Sequence, residues 1–134
     1  GCSQLDRTEE FVSKKRTIHD RYSSAFENLD ELKGFPEVSW GEGSRWLSGV
    51  VVRKETNLHA DDLRQRLRET GCDAGTFWKP IHRQPPYQSA PSKLTGTADA
   101  LWDRVIPLPC STSLSDTDQE KIIQSVEDFC REYS

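Results

Sequence analysis

Residues 45–71, RWLSGVVVRKETNLHADDLRQRLRETG, decide the fold class, because the hydrophobic period changes within them. The first half carries the β-branched run Val50, Val51, Val52 and predicts a largely buried strand. In the second half Leu63 and Leu67 lie four apart among charges, Asn57 or His59 supplies a start signal, and Gly71 supplies a stop. That pattern predicts a short helix over residues 60–70. Asp61 and Asp62 fall in its first turn, where they oppose the helix dipole, so they read as structural residues rather than an acid–base pair.

Toward the N-terminus, Leu5, Phe11, Val12, Ile18, Tyr22, Ala25, Phe26 and Leu29 recur three and four apart and predict one amphipathic helix over residues 4–29. Such a helix would be about 39 Å long, more than a domain of this size covers. Part of its apolar face is therefore expected to meet something else, and a homodimer, or a swapped dimer, built partly on Leu5, Phe11, Val12 and Ile18 is expected. Gly34 and Pro36 read as its stop. His19, in a charged stretch, reads as solvated.

Toward the C-terminus, CDAGTFW (72–78) is a second strand candidate and leads into FWKPIHRQPPY (77–87). Three prolines make that segment a stiff loop rather than an interior helix or a central strand. Residues 85–96 read as an extended excursion, Thr97 as the cap of a short helix, and VIPLP (105–109) as an edge strand, since its prolines exclude a central one. Ser115 with Asp118 resembles a capping box and opens a helix with Ile122, Ile123, Val126, Phe129, Cys130 and Tyr133 on one face. The fold class is α+β, with helices packed on a small, mainly antiparallel sheet. The 134 residues form one domain, with a leading helix at 4–30 and an α+β core at 44–134.

Charge excludes more than it selects. A net charge of −4 with interspersed signs gives no footprint for nucleic acid. No apolar run reaches the roughly 20 residues of a membrane span and no signal-peptide pattern is present, which points to the cytoplasm. Cys2, Cys72, Cys110 and Cys130 contain no CxxC pair and read as reduced thiols, with Cys2 exposed. His19, His59 and His82 form no metal-ligand pattern, and no metal is expected. Gly-rich phosphate loops and a GxSxG elbow are absent, and no nucleophile–base set is visible, so no catalytic residue is assigned.

The loop 77–87 allows two readings. Lys79 and Arg83 suit a phosphate or carboxylate, His82 can donate to one, and Trp78 and Tyr87 can stack on a ring. Alternatively Trp78 and Tyr87 are core anchors and the charges are solvated.

Taken together, QLDRTEEFVSKKRTIHDRY, SRWLSGVVV with LRQRLRETGCDAGTFWKPIHRQPPY, and GTADALWDRVIPLPCSTSLSDTDQEKIIQSV resemble successive C-terminal segments of DegT/DnrJ/StrS-type aminotransferases. These are pyridoxal-phosphate-dependent enzymes acting on keto groups of nucleotide-linked sugars. The resemblance implies the small C-terminal domain of a fold-type I aminotransferase, entered by a long helix. It implies nucleotide-sugar contacts for Trp78, Lys79 and His82, and substrate-side roles for Arg45 and Trp46, whose bland alternative is core packing. Gly75 stands where many members carry an arginine. The family's Schiff-base lysine and cofactor grips lie in the large domain, and none of lysines 14, 15, 33, 54, 79, 93 and 121 has the family's Ser-x-x-Lys setting. The chain is thus expected to bind no pyridoxal phosphate alone and not to transaminate alone. Expected partners are a nucleotide-sugar, a separate large-domain polypeptide and a second copy. The alternative is a non-catalytic interaction, oligomerisation or nucleotide-sugar-binding module.

Overall fold

The computed structural model describes residues 5–36 and 38–133. In chain order the elements are α1 (Thr8–Phe26), β1 (Leu32–Gly34), β2 (Ser48–Val52), α2 (Ala60–Glu69), α3 (Thr97–Leu101), β3 (Val105–Leu108) and α4 (Asp116–Tyr133). Two single 3₁₀ turns, Ile81–Arg83 and Pro85–Tyr87, lie between α2 and α3. The sheet is antiparallel in the order β1-β2-β3, with Gly34 and Ile106 both opposite Val50. The expected α+β class is found.

Partner residues across an antiparallel ladder share a face. Leu32, Ser48, Val50, Val52, Ile106 and Leu108 therefore form the inner face, and all are buried. Ile18, Tyr22 and Phe26 of α1, Leu63 and Leu67 of α2, and Ile122, Ile123, Val126, Phe129 and Cys130 of α4 close over this face in one core. Polar ties cross it: Gln119 Nε2 donates to the Ile18 carbonyl at 2.8 Å, and Tyr22 Oη to the Pro109 carbonyl at 2.9 Å. Between α1 and α4, Arg21 meets Glu120 at 2.6 Å.

Several expectations change. The leading helix is 19 residues long rather than spanning 4–30, because the chain turns after Phe26, with Leu29 N donating to Phe26 O and Leu32 N to Leu29 O. Gln4 and Cys2 lie outside the described residues. Gly34 ends β1, not the helix; a three-residue strand is too short to show alternation in the sequence. Ile18 is 2 % exposed and belongs to the core, so it is removed from the dimer surface proposed for it. His19 is not solvated: it is 4 % exposed, with Ser48 Oγ 3.5 Å from Nδ1 and Ser23 Oγ 3.3 Å from Nε2. The 72–78 strand does not form: the sheet has the three strands β1, β2 and β3 among the described residues, and residues 72–78 pair with none of them.

Most of the remaining local signals hold, and the cap of α3 moves from Thr97 to Gly96. β3 is an edge strand that contains Pro107. Helix α2 ends in a Schellman motif, with Gly71 at φ 80°, Gly71 N donating to Arg68 O and Cys72 N to Leu67 O. Ser115 Oγ accepts from Asp118 N at 3.1 Å and donates to the Asp118 carboxylate at 2.7 Å, which holds that carboxyl below its ordinary range. At α3 the capping position belongs to Gly96, at φ 79°, and Thr97 is the first helical residue. Cys72, Cys110 and Cys130 are buried free thiols; burial pushes Cys72 up to about 11 and Cys130 up to about 12.

Candidate functional site

The outer face of β2 positions the site. Gly49 faces outward opposite Pro107, and a Cβ there would run into the Ile106 carbonyl and stand 2.9 Å from Phe35 Cζ and 3.1 Å from Pro107 Cα. Only glycine leaves room for Phe35 to lie on the strand. Phe35 in turn meets Phe77 edge-on, with ring centroids 6.5 Å apart. Phe77 packs on Trp78 at 5.0 Å, and Trp78 stacks on Trp46 at 5.6 Å with an interplanar angle of 25°. A row of four rings thus runs from the sheet into solvent, where Trp46 and Trp78 are 64 % and 62 % exposed.

Trp46 is held through its backbone. Lys15 of α1 donates to the Trp46 carbonyl at 3.0 Å and lies 3.6 Å from Cys110 Sγ, which itself donates to that carbonyl at 3.5 Å. One residue earlier Arg45 takes φ 53°, a left-handed conformation uncommon for a side-chain-bearing residue. Arg16 fixes the preceding turn by donating to the Gly43 carbonyl at 3.1 Å and pairing with Glu42 at 2.9 Å.

Beyond Trp78 the prolines shape the loop. Arg83 N donates to Pro80 O and Gln84 N to Ile81 O, both at 2.9 Å, closing one 3₁₀ turn, while Gln84 Nε2 caps the Lys79 carbonyl at 2.9 Å. Lys79 is exposed, and its ammonium makes no hydrogen bond or ion pair among the described residues. His82 Nε2 lies 3.0 Å from both oxygens of Asp99 on α3, and Arg83 pairs with the same carboxylate while its guanidinium sits 6.0 Å from the Trp102 ring. The hydrogen bond from His82, and then Arg83, hold the Asp99 carboxyl below its ordinary value.

The five residues singled out in the sequence thus fall into two adjoining groups: Arg45 with Trp46, stacked on Trp78, and then Lys79 and His82 along the same loop. Trp78 and Trp46 are not core anchors, and Tyr87 is half-exposed. Sequence reasoning missed Asp99, Lys15 and Phe35. Asp99 lies 17 residues from His82, Lys15 acts across 31 residues, and no local spacing signals either pairing.

None of the described lysines is buried, whereas a Schiff-base lysine works from a desolvated pocket. Among the described residues no group of three or more His, Cys, Asp or Glu gathers to hold a metal.

Comparison with known proteins identifies the architecture. Residues 1–127 match the DegT/DnrJ/EryC1/StrS aminotransferase family. EpsN of Bacillus subtilis (strain 168), named as a candidate pyridoxal phosphate-dependent aminotransferase, is 34 % identical over 128 residues, which cover 92 % of this chain and 32 % of that protein. The GDP-perosamine synthase of Vibrio cholerae is 26 % identical, over 96 % of this chain and 35 % of its own length. Among solved structures, the aminotransferase TlmJ of Streptoalloteichus hindustanus superposes with a TM-score of 0.85 at 27 % identity, over 98 % of this chain and 35 % of that one. The chain spans about a third of the length of these relatives. It belongs to the DegT/DnrJ/EryC1/StrS aminotransferase family.

Proposed function

We propose that this member of the aminotransferase family supplies the nucleotide-sugar-binding side of a pyridoxal-phosphate-dependent sugar aminotransferase and does not transaminate alone. The observation that carries this reading is the solvent-facing Trp46–Trp78 stack, continued along one rigid loop by Lys79 and by His82. Stacked, exposed indoles offer a flat apolar surface to a base or sugar ring, and a lysine beside them offers a compact charge to a phosphate. Three prolines and two 3₁₀ turns pre-order the loop, which lowers the entropy lost on binding. The name of the Vibrio cholerae relative, a GDP-perosamine synthase, points the same way.

The chemical step is assigned to residues outside this chain. Pyridoxal phosphate acts as an electron sink when bound; its seat, and the lysine that would hold it, belong on this reading to a large-domain partner. This chain's residues grip and orient the sugar. No helix among the described residues is long and apolar enough to cross a membrane, and the three described cysteines are free thiols; both agree with a cytoplasmic protein.

Titration with UDP-glucose or a dTDP-sugar, followed by tryptophan fluorescence, tests the binding. A saturable change that Trp78→Ala removes is the expected result, and a flat titration at millimolar ligand sinks the reading. Mixing with a separate large-domain polypeptide should restore turnover.

A second reading, an interaction or oligomerisation module, is favoured by exposed Leu5 and by Phe11 and Val12, which are half-buried at the N-terminal end of α1. A homodimer through that end should be visible by sedimentation equilibrium at ~100 μM, where micromolar contacts saturate. A monomer at that concentration removes it.

A further inference from the structure

Asp99 lies against one ring nitrogen of His82 and leaves the other without a partner among the described residues. Held below its ordinary range, the Asp99 carboxyl is an acceptor only. Both its oxygens lie 3.0 Å from His82 Nε2, and Arg83 Nε donates to the same group. A neutral imidazole has one N–H, and the carboxylate has no hydrogen to give, so the proton sits on Nε2. Nδ1 then carries a lone pair. Among the described residues Nδ1 has no partner, and it is not sealed away: the buried side-chain nitrogens and oxygens without a partner are Arg64 Nε, Trp102 Nε1 and Ser125 Oγ. The His82 side chain is 22 % exposed.

We propose that Asp99 is a positioning residue that presents His82 Nδ1 as a hydrogen-bond acceptor, so that His82 takes a hydroxyl of a nucleotide-sugar and not its phosphate. The ligand half of this proposal rests on the function proposed above; the tautomer half does not. A phosphate oxygen would bring its lone pairs against the lone pair of Nδ1, whereas a sugar hydroxyl has a hydrogen to donate. The anion is left to Lys79, whose ammonium is uncommitted among the described residues. The loop thereby divides its work, with charge recognition at Lys79 and hydroxyl recognition at His82.

Nitrogen-resolved imidazole spectra of the intact chain, recorded at alkaline pH where imidazoles are neutral, read the tautomer directly. The proton should be found on Nε2, should redistribute in Asp99→Ala, and should return to Nε2 in Asp99→Glu. A proton on Nδ1 in the unsubstituted chain overturns the role of Asp99. In the same buffer, UDP-glucose, UDP and inorganic pyrophosphate are titrated against the unsubstituted chain, Asp99→Ala and His82→Ala. Both variants should lose about three- to tenfold in UDP-glucose affinity, the worth of one net hydrogen bond, and nothing for pyrophosphate. An equal loss with UDP assigns the hydroxyl to the ribose; a loss confined to UDP-glucose assigns it to the hexose. A matching loss for pyrophosphate, or none for any ligand, overturns hydroxyl recognition. Failure of UDP-glucose to bind the unsubstituted chain defeats the proposed function and hydroxyl recognition together, while the spectra still decide the role of Asp99.

Discussion

Along β2, Ser48, Val50 and Val52 point to one side and Gly49 and Val51 to the other, and the two sides are built by different rules. The inner side packs with Ile18, Leu63, Ile106 and Val126 in one core of buried residues. The outer side carries a bare glycine under Phe35, and from there a row of rings extends until two tryptophans face water. Covering apolar surface stabilises a fold, while leaving two indoles exposed does not. The contrast separates residues whose loss should unfold the chain from those whose loss should only silence it.

The sharpest way to break that contrast is Ile106→Ala on the inner side. Ile106 is fully buried, so truncation should cost roughly 2–5 kcal/mol in urea denaturation; a loss below ~1 kcal/mol would mean the inner side is not the core. Next comes Gly49→Ala, whose methyl meets strand backbone that cannot move aside. A destabilisation of about 1–3 kcal/mol is expected, together with altered tryptophan fluorescence as Phe35 is pushed from the sheet. Unchanged fluorescence would uncouple the ring row from the strand. Trp46→Ala should shift stability by no more than ~0.5 kcal/mol, as an exposed substitution does, while abolishing the ligand response.

The smallest effect is a pH dependence. The folded-state pKa of Asp118 is lowered, first by Ser115 and then by Lys121, so its contribution is present above the unfolded value near ~4 and is lost as pH falls through the folded value. Asp118→Asn should therefore be less stable than the unsubstituted chain at about pH 6, with the gap closed by about pH 2.5 when urea midpoints are compared. A gap that persists at the acid end would point to the helix cap rather than the charge.

The sequence showed what depends on near neighbours. Val50 to Val52, the Leu63 and Leu67 pair with Gly71 beyond it, and the Ser115 box are encoded within a few residues, and each element formed where its pattern lay. What failed depends on distant partners. His19 sits among charges in the sequence, yet Ser48 on a strand 29 residues away gives it a buried polar seat. The 72–78 segment has strand-forming residues, yet it pairs with no strand of the sheet and instead carries Phe77 and Trp78 into the ring row. Trp46, Trp78, Lys79 and His82 were visible as candidates through motif and composition, whereas the roof of Phe35, the Lys15 tether and the hold of Asp99 appear only when chain segments far apart are brought together.

Gly49 has a genetic consequence. A single nucleotide change in a glycine codon that yields another amino acid always adds a β-carbon, and at this position every such carbon meets the Ile106 carbonyl. The position therefore has no gentle neighbours in sequence space. A lineage that altered the ring row could do so one aromatic at a time, but the strand beneath it offers no graded step, and variation among related chains should accumulate in the rings before it reaches the glycine that seats them.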